Sequence, residues 1–280
     1  MNYGMNLLLW TAHLTDEHLP VCEELKGMGY HGVELPLFEL EPTHYQRLGK
    51  SLDGLGLART AVTVRTAADN PISPDPKIRA AGLDANRRTI DCCAAAGVQL
   101  LVGPIHSALG EFSGKCPTAD EWKWGVEEIR KAAEYAAPHG VMLGIEAINR
   151  FECYLLNCID DLARFVEEVD HPNCRLMYDT FHANIEEKNP RDAIHRAQKD
   201  LALVHISEND RSTPGSGGVR WQETFDTLKE IGYNGWLTIE AFGLALPELA
   251  AATKIWRRMY HDEMQLARDG LAFMRSHCGN

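Results

Sequence analysis

The sequence predicts an α/β protein, a single (β/α)8 TIM barrel with a C-terminal helical extension. Three observations lead to this fold class. About eight short apolar runs alternate with amphipathic segments, four of the later runs end in a carboxylate or an imidazole, and the length of 280 residues suits one barrel. We expect one domain over residues 1–280, because no linker-like or low-complexity segment divides the chain.

Each predicted strand is a short run rich in apolar residues, and each is followed by a helix-like segment. Regular alternation of this kind indicates a parallel sheet. In chain order the predicted strands are Gly4–Leu9, Gly32–Leu37, Ala58–Val64, Gln99–Gly103, Met142–Ile148, Arg175–Thr180, Ala202–Ser207 and Trp236–Ala241.

The segments between the strands carry apolar residues at helical spacing. The clearest predicted helices are Glu17–Met28, Lys77–Ala95, Ala119–Ala136, Asp160–Val169 and Trp221–Ile231. Several helices are followed by a glycine that accepts the left-handed backbone at a helix end, namely Gly29, Gly97, Gly140 and Gly232. The last segment, from about Leu246 to Met274, is predicted to form a long terminal helix or a helix pair that covers the barrel.

A doubly wound open sheet is the alternative architecture. Its usual sign is a G-x-G-x-x-G turn after the first strand, and here that position is L-L-W-T-A-H. The nearly complete set of β/α units therefore favours the closed barrel.

Composition and charge restrict the possible partners. The chain contains 28 Lys and Arg against 40 Asp and Glu, a formal net charge of −12, and it has no run rich in basic residues. An acidic protein repels polyphosphate, so nucleic acid is not expected to be a partner. No apolar stretch approaches the ~20 residues of a membrane span, so no membrane partner is expected either.

The cysteines and the N-terminal residues indicate a cytoplasmic protein. The eight cysteines are scattered, Cys92 and Cys93 are adjacent, and no C-x-x-C pair occurs. This usage is typical of free thiols in a reducing compartment rather than of disulfides or a thiolate zinc site. Met1 is followed almost directly by the apolar run from Met5 to Trp10, without a basic leader.

Four side chains that commonly bind metals end four consecutive predicted strands. They are Glu146 in G-I-E-A-I, Asp179 in L-M-Y-D-T, His205 in L-V-H-I-S and Glu240 in L-T-I-E-A-F. Their separations of 33, 26 and 35 residues each fit one β/α unit. In a β/α barrel the carboxyl ends of the strands meet at one mouth. Three carboxylates and one imidazole there suit a hard divalent cation with open positions for substrate.

Each of these residues has an ordinary alternative explanation. A single buried glutamate is often satisfied by an arginine or a backbone amide, and a lone histidine is more often part of the core. A lone buried carboxylate costs several kcal/mol unless it is paired or metal-bound. Four such residues at four consecutive strand ends therefore favour a shared ion.

Further polar side chains lie just beyond these strand ends. Glu152 follows in N-R-F-E, His182 in D-T-F-H, and Glu208 and Arg211 in H-I-S-E-N-D-R. Any one of them is more often a solvated loop residue, but all are expected at the same rim. His and Arg donate hydrogen bonds to hydroxyl or carbonyl oxygens, and Arg suits an oxygen that gains negative charge.

These segments resemble the ketose 3-epimerases, the D-tagatose 3-epimerase and D-allulose (D-psicose) 3-epimerase family of xylose-isomerase-like barrels. The matching motifs are E-A-I-N-R-F-E, D-T-F-H-A-N-I-E-E, H-I-S-E-N-D-R, P-G-S-G-G-V-R-W and E-A-F. The resemblance implies that a divalent metal, manganese first and cobalt or magnesium as alternatives, is bound by Glu146, Asp179, His205 and Glu240. It also implies that the first carbons of a free ketose are bound by Glu152, His182 and Arg211. We expect a homodimer or homotetramer.

Other positions shape the expected sugar pocket. The family often carries an aromatic residue at the first strand's mouth, where this chain has Asn6, and the loop G-P-I-H-S-A-L-G differs from the family pattern. Asn6 and the candidates Trp10, His13, His106 and Leu109 are placed at this pocket, with ordinary packing as the alternative. The run P-G-S-G-G is either a phosphate cradle or a flexible rim loop, and the lack of a nearby Lys favours the rim loop.

Epimerisation at the third carbon removes a proton beside the carbonyl and returns one to the other face. Our hypothesis is that Glu146 and Glu240 are the acid/base pair and that a metal stabilises the enediolate. The nearest alternative is an aldose–ketose or hydroxypyruvate-type isomerase with the same site. A metal-dependent endonuclease is disfavoured by the net charge of −12, and a non-catalytic sugar-binding protein does not need two buried carboxylates beside a metal.

Overall fold

The computed structural model describes residues 1–278, and it confirms the predicted barrel. Eight parallel strands close in the order β1 to β8, with β1 hydrogen-bonded to β8. The strands are β1 Asn2–Asn6, β2 Gly32–Pro36, β3 Ala58–Val62, β4 Leu100–Gly103, β5 Met142–Ile145, β6 Cys174–Asp179, β7 Leu201–Ile206 and β8 Trp236–Ile239.

Helices surround the barrel. They are α1 Leu19–Met28, α2 Pro42–Leu55, α3 Pro76–Ala96, α4 Ala119–Ala136, α5 Ile159–Val169, α6 Thr180–Glu186, α7 Pro190–Ala197, α8 Trp221–Glu230, α9 Pro247–Thr253 and α10 Glu263–Cys278. The terminal segment is a helix pair, because Lys254 takes a left-handed conformation (φ 62°) at the end of α9. None of the described helices combines the length and the apolar character needed to cross a bilayer.

The first predicted strand was placed too far along the chain. Residues Leu7–Leu9 form a 3-10 turn instead of continuing β1. The turn begins at Asn6 because its side-chain oxygen accepts a hydrogen bond from the Leu8 amide at 2.9 Å. The strand pairs with β2 and β8 before this point, so it runs from Asn2 to Asn6.

Most predicted strands extended past the observed carboxyl ends. The fifth was predicted to reach Ile148, but β5 ends at Ile145 because the Ile148 amide donates to the carbonyl of Leu156 in the following loop. Thr180, predicted to end the sixth strand, begins α6. The carboxylate of Asp179 caps that helix by accepting from the amides of Phe181 and His182.

The core continues from the barrel to the outer helices. Apolar residues of every strand are buried, and α10 is tied to this core by a hydrogen bond of 2.7 Å from the Tyr30 hydroxyl to the Ala267 carbonyl. All eight cysteines are free thiols. Rigid strands held in this way fix the positions of the polar residues at their carboxyl ends.

Candidate active site

The structure brings the four predicted metal-binding side chains together at the carboxyl ends of β5 to β8. Asp179 is the last residue of β6 and pairs in register with His205 of β7. Glu146 and Glu240 each follow the last residue of their strand. All four are buried, with exposed fractions between 0% for His205 and 6% for Glu240.

Two overlapping groups of possible metal ligands meet here. The ligand atoms of Asp179, His205 and Glu240 lie within 4.8 Å of one another, and so do those of Glu146, Asp179 and His182. Asp179 belongs to both groups, so the four predicted ligands and His182 surround one small volume. His205 Nδ1 lies 3.5 Å from Asp179 Oδ2 and 3.6 Å from Glu240 Oε1.

The donor set fits a divalent cation. His205 Nε2 donates to Glu34 Oε1 at 2.7 Å, so Nδ1 is the nitrogen that faces the carboxylates, and it is buried without a hydrogen-bond partner. Three carboxylates and one imidazole are ligands that manganese, magnesium or cobalt accepts. A histidine held from behind by a carboxylate is also the usual arrangement for a metal ligand.

Glu34 is a functional candidate that the sequence reasoning missed. It is fully buried at β2, where it accepts from His205 and also from Thr60 Oγ1 at 2.7 Å. Its segment G-V-E-L-P has the same form as G-I-E-A-I around Glu146, so the signal was present in the second strand.

Asn6 was predicted to line the sugar pocket, but the structure places it among the carboxylates. It is 0% exposed, and its Nδ2 lies 3.0 Å from Glu34 Oε1 and 3.1 Å from Glu240 Oε1. Because the side chain turns inward to cap the 3-10 turn, it donates to two acids instead of facing the mouth. Asn6 therefore links Glu34 to Glu240.

The site separates the acidities of its carboxyl groups. Burial raises the pKa of Glu146 well above its ordinary value, and the charges of Glu240 and Asp179 add to this. Burial also raises the pKa of Glu240 to about 7, although His205 and Arg211 oppose the shift. Burial alone would raise the pKa of Asp179, but the positive charge of the Arg211 guanidinium holds it well below its ordinary value. Carboxyl groups whose pKa values differ in this way suit acid and base roles.

Arg211 lies inside the site. Its Nη1 donates to Glu240 Oε2 at 2.7 Å and to Asp179 Oδ2 at 3.3 Å. The guanidinium carbon lies 3.7 Å from the centre of the Phe181 ring and 5.0 Å from that of Phe242. Its backbone is left-handed (φ 63°), and its carbonyl accepts from the Phe242 amide. These contacts hold the guanidinium in one orientation.

His182 and Glu152 are organised by Asn149, which the sequence reasoning did not single out. The backbone N–H of Asn149 donates to His182 Nδ1 at 3.0 Å, and the side-chain Nδ2 of Asn149 donates to Glu152 Oε1 at 2.9 Å. Burial lowers the pKa of His182 to about 3, so the ring is neutral and its proton lies on Nε2. That nitrogen is 3.6 Å from Glu146 Oε1 and 3.1 Å from Arg211 Nη2. Both nitrogens carry hydrogens, so an acceptor oxygen beside the pair would satisfy both donors.

The remaining predicted pocket residues occupy different places. Trp10 is half-buried, Leu109 is 37% exposed, and His13 stacks on His44 with ring centres 4.6 Å apart. His106 is 0% exposed and does not line the mouth, because its Nε2 is bound to the backbone carbonyl of Glu146 at 3.0 Å. Burial lowers its pKa to about 4.

The glycine-rich run is built around a protein carboxylate. Glu208 is 0% exposed and accepts from the amides of Gly215 at 2.8 Å and Val219 at 3.2 Å, and from Trp221 Nε1 at 2.9 Å. These donors are therefore already occupied, and the negative charge of Glu208 opposes a phosphate. The geometry favours the rim-loop interpretation over the phosphate cradle.

Comparison with known proteins agrees with this fold. The sequence profile of the family described as xylose isomerase-like TIM barrel matches residues 22–277. The L-ribulose 3-epimerase of Methylomonas sp. is 32% identical over 278 residues, covering 98% of this chain and 97% of that protein. The D-psicose 3-epimerase of Ruminiclostridium cellulolyticum is 30% identical, covering 97% and 95%. A crystal structure of a D-allulose 3-epimerase from Methylomonas sp. in complex with D-allulose has a TM-score of 0.92 at 30% identity, covering 99% and 97%.

Proposed function

Because the chain belongs to the ketose 3-epimerases of the xylose isomerase-like TIM barrel family, we propose that it epimerises free ketoses at the third carbon with a divalent metal ion. One observation carries this proposal. The Nε2 proton of His182 and the guanidinium of Arg211 converge on one point, and the carboxyl groups of Glu146 and Glu240 lie beside it. Two donors suit a substrate oxygen, and two carboxyl groups suit a proton that leaves and a proton that returns.

Glu146, Asp179, His205 through Nδ1 and Glu240 would hold the metal. We propose Mn²⁺, with Co²⁺ or Mg²⁺ as alternatives, since the ligand set is three carboxylates and one imidazole. When bound, the cation would supply Lewis-acid stabilisation of the negative charge that develops on the ketose oxygens.

Glu146 and Glu240 carry the proton transfers. One of them, as carboxylate, removes the proton from the third carbon, and the electron pair of the broken C–H bond becomes part of an enediolate across the second and third carbons. The other, as carboxylic acid, delivers its proton to the third carbon from the opposite face. Each turnover exchanges the two protonation states, so the reverse epimerisation restores them.

The other polar side chains orient the ketose. Arg211 and His182 donate to the oxygen that gains charge, and the Phe181 and Phe242 rings restrict the guanidinium to that direction. Glu152, positioned by Asn149, accepts a hydrogen bond from a hydroxyl near the first carbons. Substrate carbons farther from this end contact the loops after β1 and β4.

The substrate class follows the relatives. Two of those described act, by name, on L-ribulose and D-psicose, and the crystal structure described above contains D-allulose. We therefore propose a free ketopentose or ketohexose as the substrate. A homodimer or homotetramer and a cytoplasmic location stay predictions from the sequence.

A deuterium experiment tests the reaction. The protein is incubated with Mn²⁺ and a panel of ketoses in deuterated water, and the products are followed by NMR. We expect deuterium at the third carbon of both ketose epimers and no aldose, because the enediolate spans the second and third carbons. Deuterium at the first or second carbon, together with an aldose or aldehyde product, would instead identify the aldose–ketose or hydroxypyruvate-type isomerase.

A further inference from the structure

We propose that a buried hydrogen-bonded chain, Cys153–Ser107–His106, positions Glu146 for proton transfer, with His106 as the positioning residue. The proposal rests on the proposed function, since it assigns a supporting role in that reaction. The three residues are 0–3% exposed, so they are shielded from solvent.

This series of hydrogen bonds runs without a break from one loop of the mouth to the next. Cys153 Sγ lies 3.2 Å from Ser107 Oγ, and Ser107 Oγ lies 2.9 Å from His106 Nδ1. The other ring nitrogen, Nε2, lies 3.0 Å from the backbone carbonyl of Glu146. Three hydrogen bonds therefore connect the loop after β5 to the backbone carbonyl of Glu146, by way of the loop after β4.

The last acceptor in this series, the Glu146 carbonyl, fixes the direction of every hydrogen bond in it. A carbonyl oxygen only accepts, so His106 Nε2 must carry the proton. The neutral ring then has a lone pair on Nδ1, and the Ser107 hydroxyl donates to it. The Cys153 thiol donates in turn to the Ser107 oxygen, and Cys153 Sγ accepts from the Leu155 amide at 3.3 Å. Hydrogen bonds aligned in one direction polarise and strengthen one another.

Glu146 needs such support because it lies past the end of β5. Its amide donates to the Gly103 carbonyl at 3.2 Å, and its carbonyl accepts from His106. Both polar groups of its backbone are thus held by one short segment, which runs from the last residue of β4, Gly103, to His106. These two hydrogen bonds fix the backbone position of Glu146. In the proposed reaction its carboxyl group must reach both the metal and the proton on the third carbon.

The same segment also holds Glu152. The Glu152 carbonyl accepts from the Gly110 amide at 2.8 Å, and Cys153, its neighbour in sequence, begins the chain. One loop therefore positions both Glu146, the proposed proton-transfer group, and Glu152, the proposed substrate-binding group. Of these two groups, His106 contacts only Glu146, so a change of His106 should alter the turnover number more than the binding of substrate.

Two matched variants of His106 test the proposal. His106→Leu removes the donor to the Glu146 carbonyl, whereas the side-chain amide of His106→Gln places an N–H near the position of Nε2. At saturating Mn²⁺, we expect His106→Leu to lower kcat ~10- to 100-fold, the usual effect of an outer supporting group, with KM within about twofold. His106→Gln should recover most of the loss. Equal losses in the two variants, or none in either, would overturn the proposal.

Smaller substitutions serve if His106→Leu fails to fold. Cys153→Ser keeps a hydroxyl donor to Ser107, and Cys153→Ala removes it. We expect Cys153→Ser to keep the wild-type kcat and Cys153→Ala to lower it ~2- to 10-fold, the contribution of one hydrogen bond. Identical kcat values for the two variants would count against the chain.

Nitrogen-15 NMR of the histidine rings gives a readout that does not depend on turnover. The signal of His106, assigned by its absence in His106→Gln, should show a neutral ring protonated on Nε2. A proton on Nδ1 refutes the chain even if the enzyme is active. A wild-type protein that epimerises no ketose refutes the proposed function, and it leaves this NMR result unchanged.

Discussion

Replacing Glu34 by Gln should weaken metal binding while preserving the fold. Glu34 is fully buried and accepts three hydrogen bonds, from His205, Asn6 and Thr60. In Glu34→Gln the amide oxygen still accepts from the first two, and the hydroxyl of Thr60 can reverse and accept from the new amide. The shape of the site is therefore kept, and the negative charge behind His205 is lost.

The magnitude follows from the hydrogen bond between Glu34 and His205. A hydrogen bond to a charged group contributes about 1.5–3 kcal/mol, and one between neutral groups about 0.5–1.5 kcal/mol. The difference, about 1–1.5 kcal/mol, corresponds to a roughly 5- to 13-fold change in an equilibrium constant. Loss of an outer partner of a metal ligand typically costs ~10- to 100-fold in affinity. We therefore expect the Kd for Mn²⁺ to rise by at least ~5-fold and at most ~100-fold.

The measurement is a calorimetric titration of Mn²⁺ into protein stripped of metal. Glu24→Gln removes the same charge from an exposed position on α1 and serves as the control, with an expected Kd equal to that of the wild type. Circular dichroism and the Tm verify that both variants are folded. A folded Glu34→Gln protein with a Kd within twofold of the wild type would refute the reasoning, because Glu34 would then not act on the metal through His205.

Two further predictions concern the metal and the acid/base pair. Exhaustive chelation should abolish epimerisation, and Mn²⁺, Co²⁺ or Mg²⁺ should restore it; full activity in a preparation verified as metal-free by mass spectrometry would contradict the metal assignment. Glu146→Gln and Glu240→Gln should each lower kcat by at least ~10², the lower end of general acid–base contributions, with bound metal measured in each variant. A variant that keeps both its metal and near-native kcat would remove that residue from the catalytic pair.

The four proposed ligands were predictable from the sequence because two simple rules place them. A short apolar run that ends in an acid or a histidine marks a strand end, and the parallel topology brings all such ends to one mouth. The separation of one β/α unit between Glu146, Asp179, His205 and Glu240 needs no knowledge of side-chain packing. The structure brings these side chains together as that reasoning expects.

Asn6 and His106 show where this reasoning stops. Both lie at strand ends or in the loops that follow, so the sequence places them at the mouth, but it does not say which way each side chain turns. Asn6 turns inward because its oxygen caps a local 3-10 turn and its nitrogen meets Glu34 and Glu240. His106 turns to a carbonyl 40 residues away. Such directions depend on partners that only the folded chain brings near.

Glu34 was missed for a different reason. A single glutamate in an apolar run is ambiguous. The polar residues at the ends of β5 to β8 form a series on four consecutive strands, whereas Glu34 on β2 stands apart from that series in the sequence. The closure of the barrel places β2 across the mouth from β7, where Glu34 meets His205. Its role is therefore a property of the closed ring rather than of its own segment.

The hydrogen bonds across the mouth have a consequence for how the protein is made. Glu34 and His205 are 171 residues apart, and Asn6 and Glu240 are 234 apart. A chain leaving the ribosome therefore has no complete site until its last strand has emerged and closed against the first. A bound cation would add RT ln(1 + [metal]/Kd) to the stability of the finished barrel alone. We expect metal to slow unfolding of the complete protein and to leave shorter nascent chains unaffected.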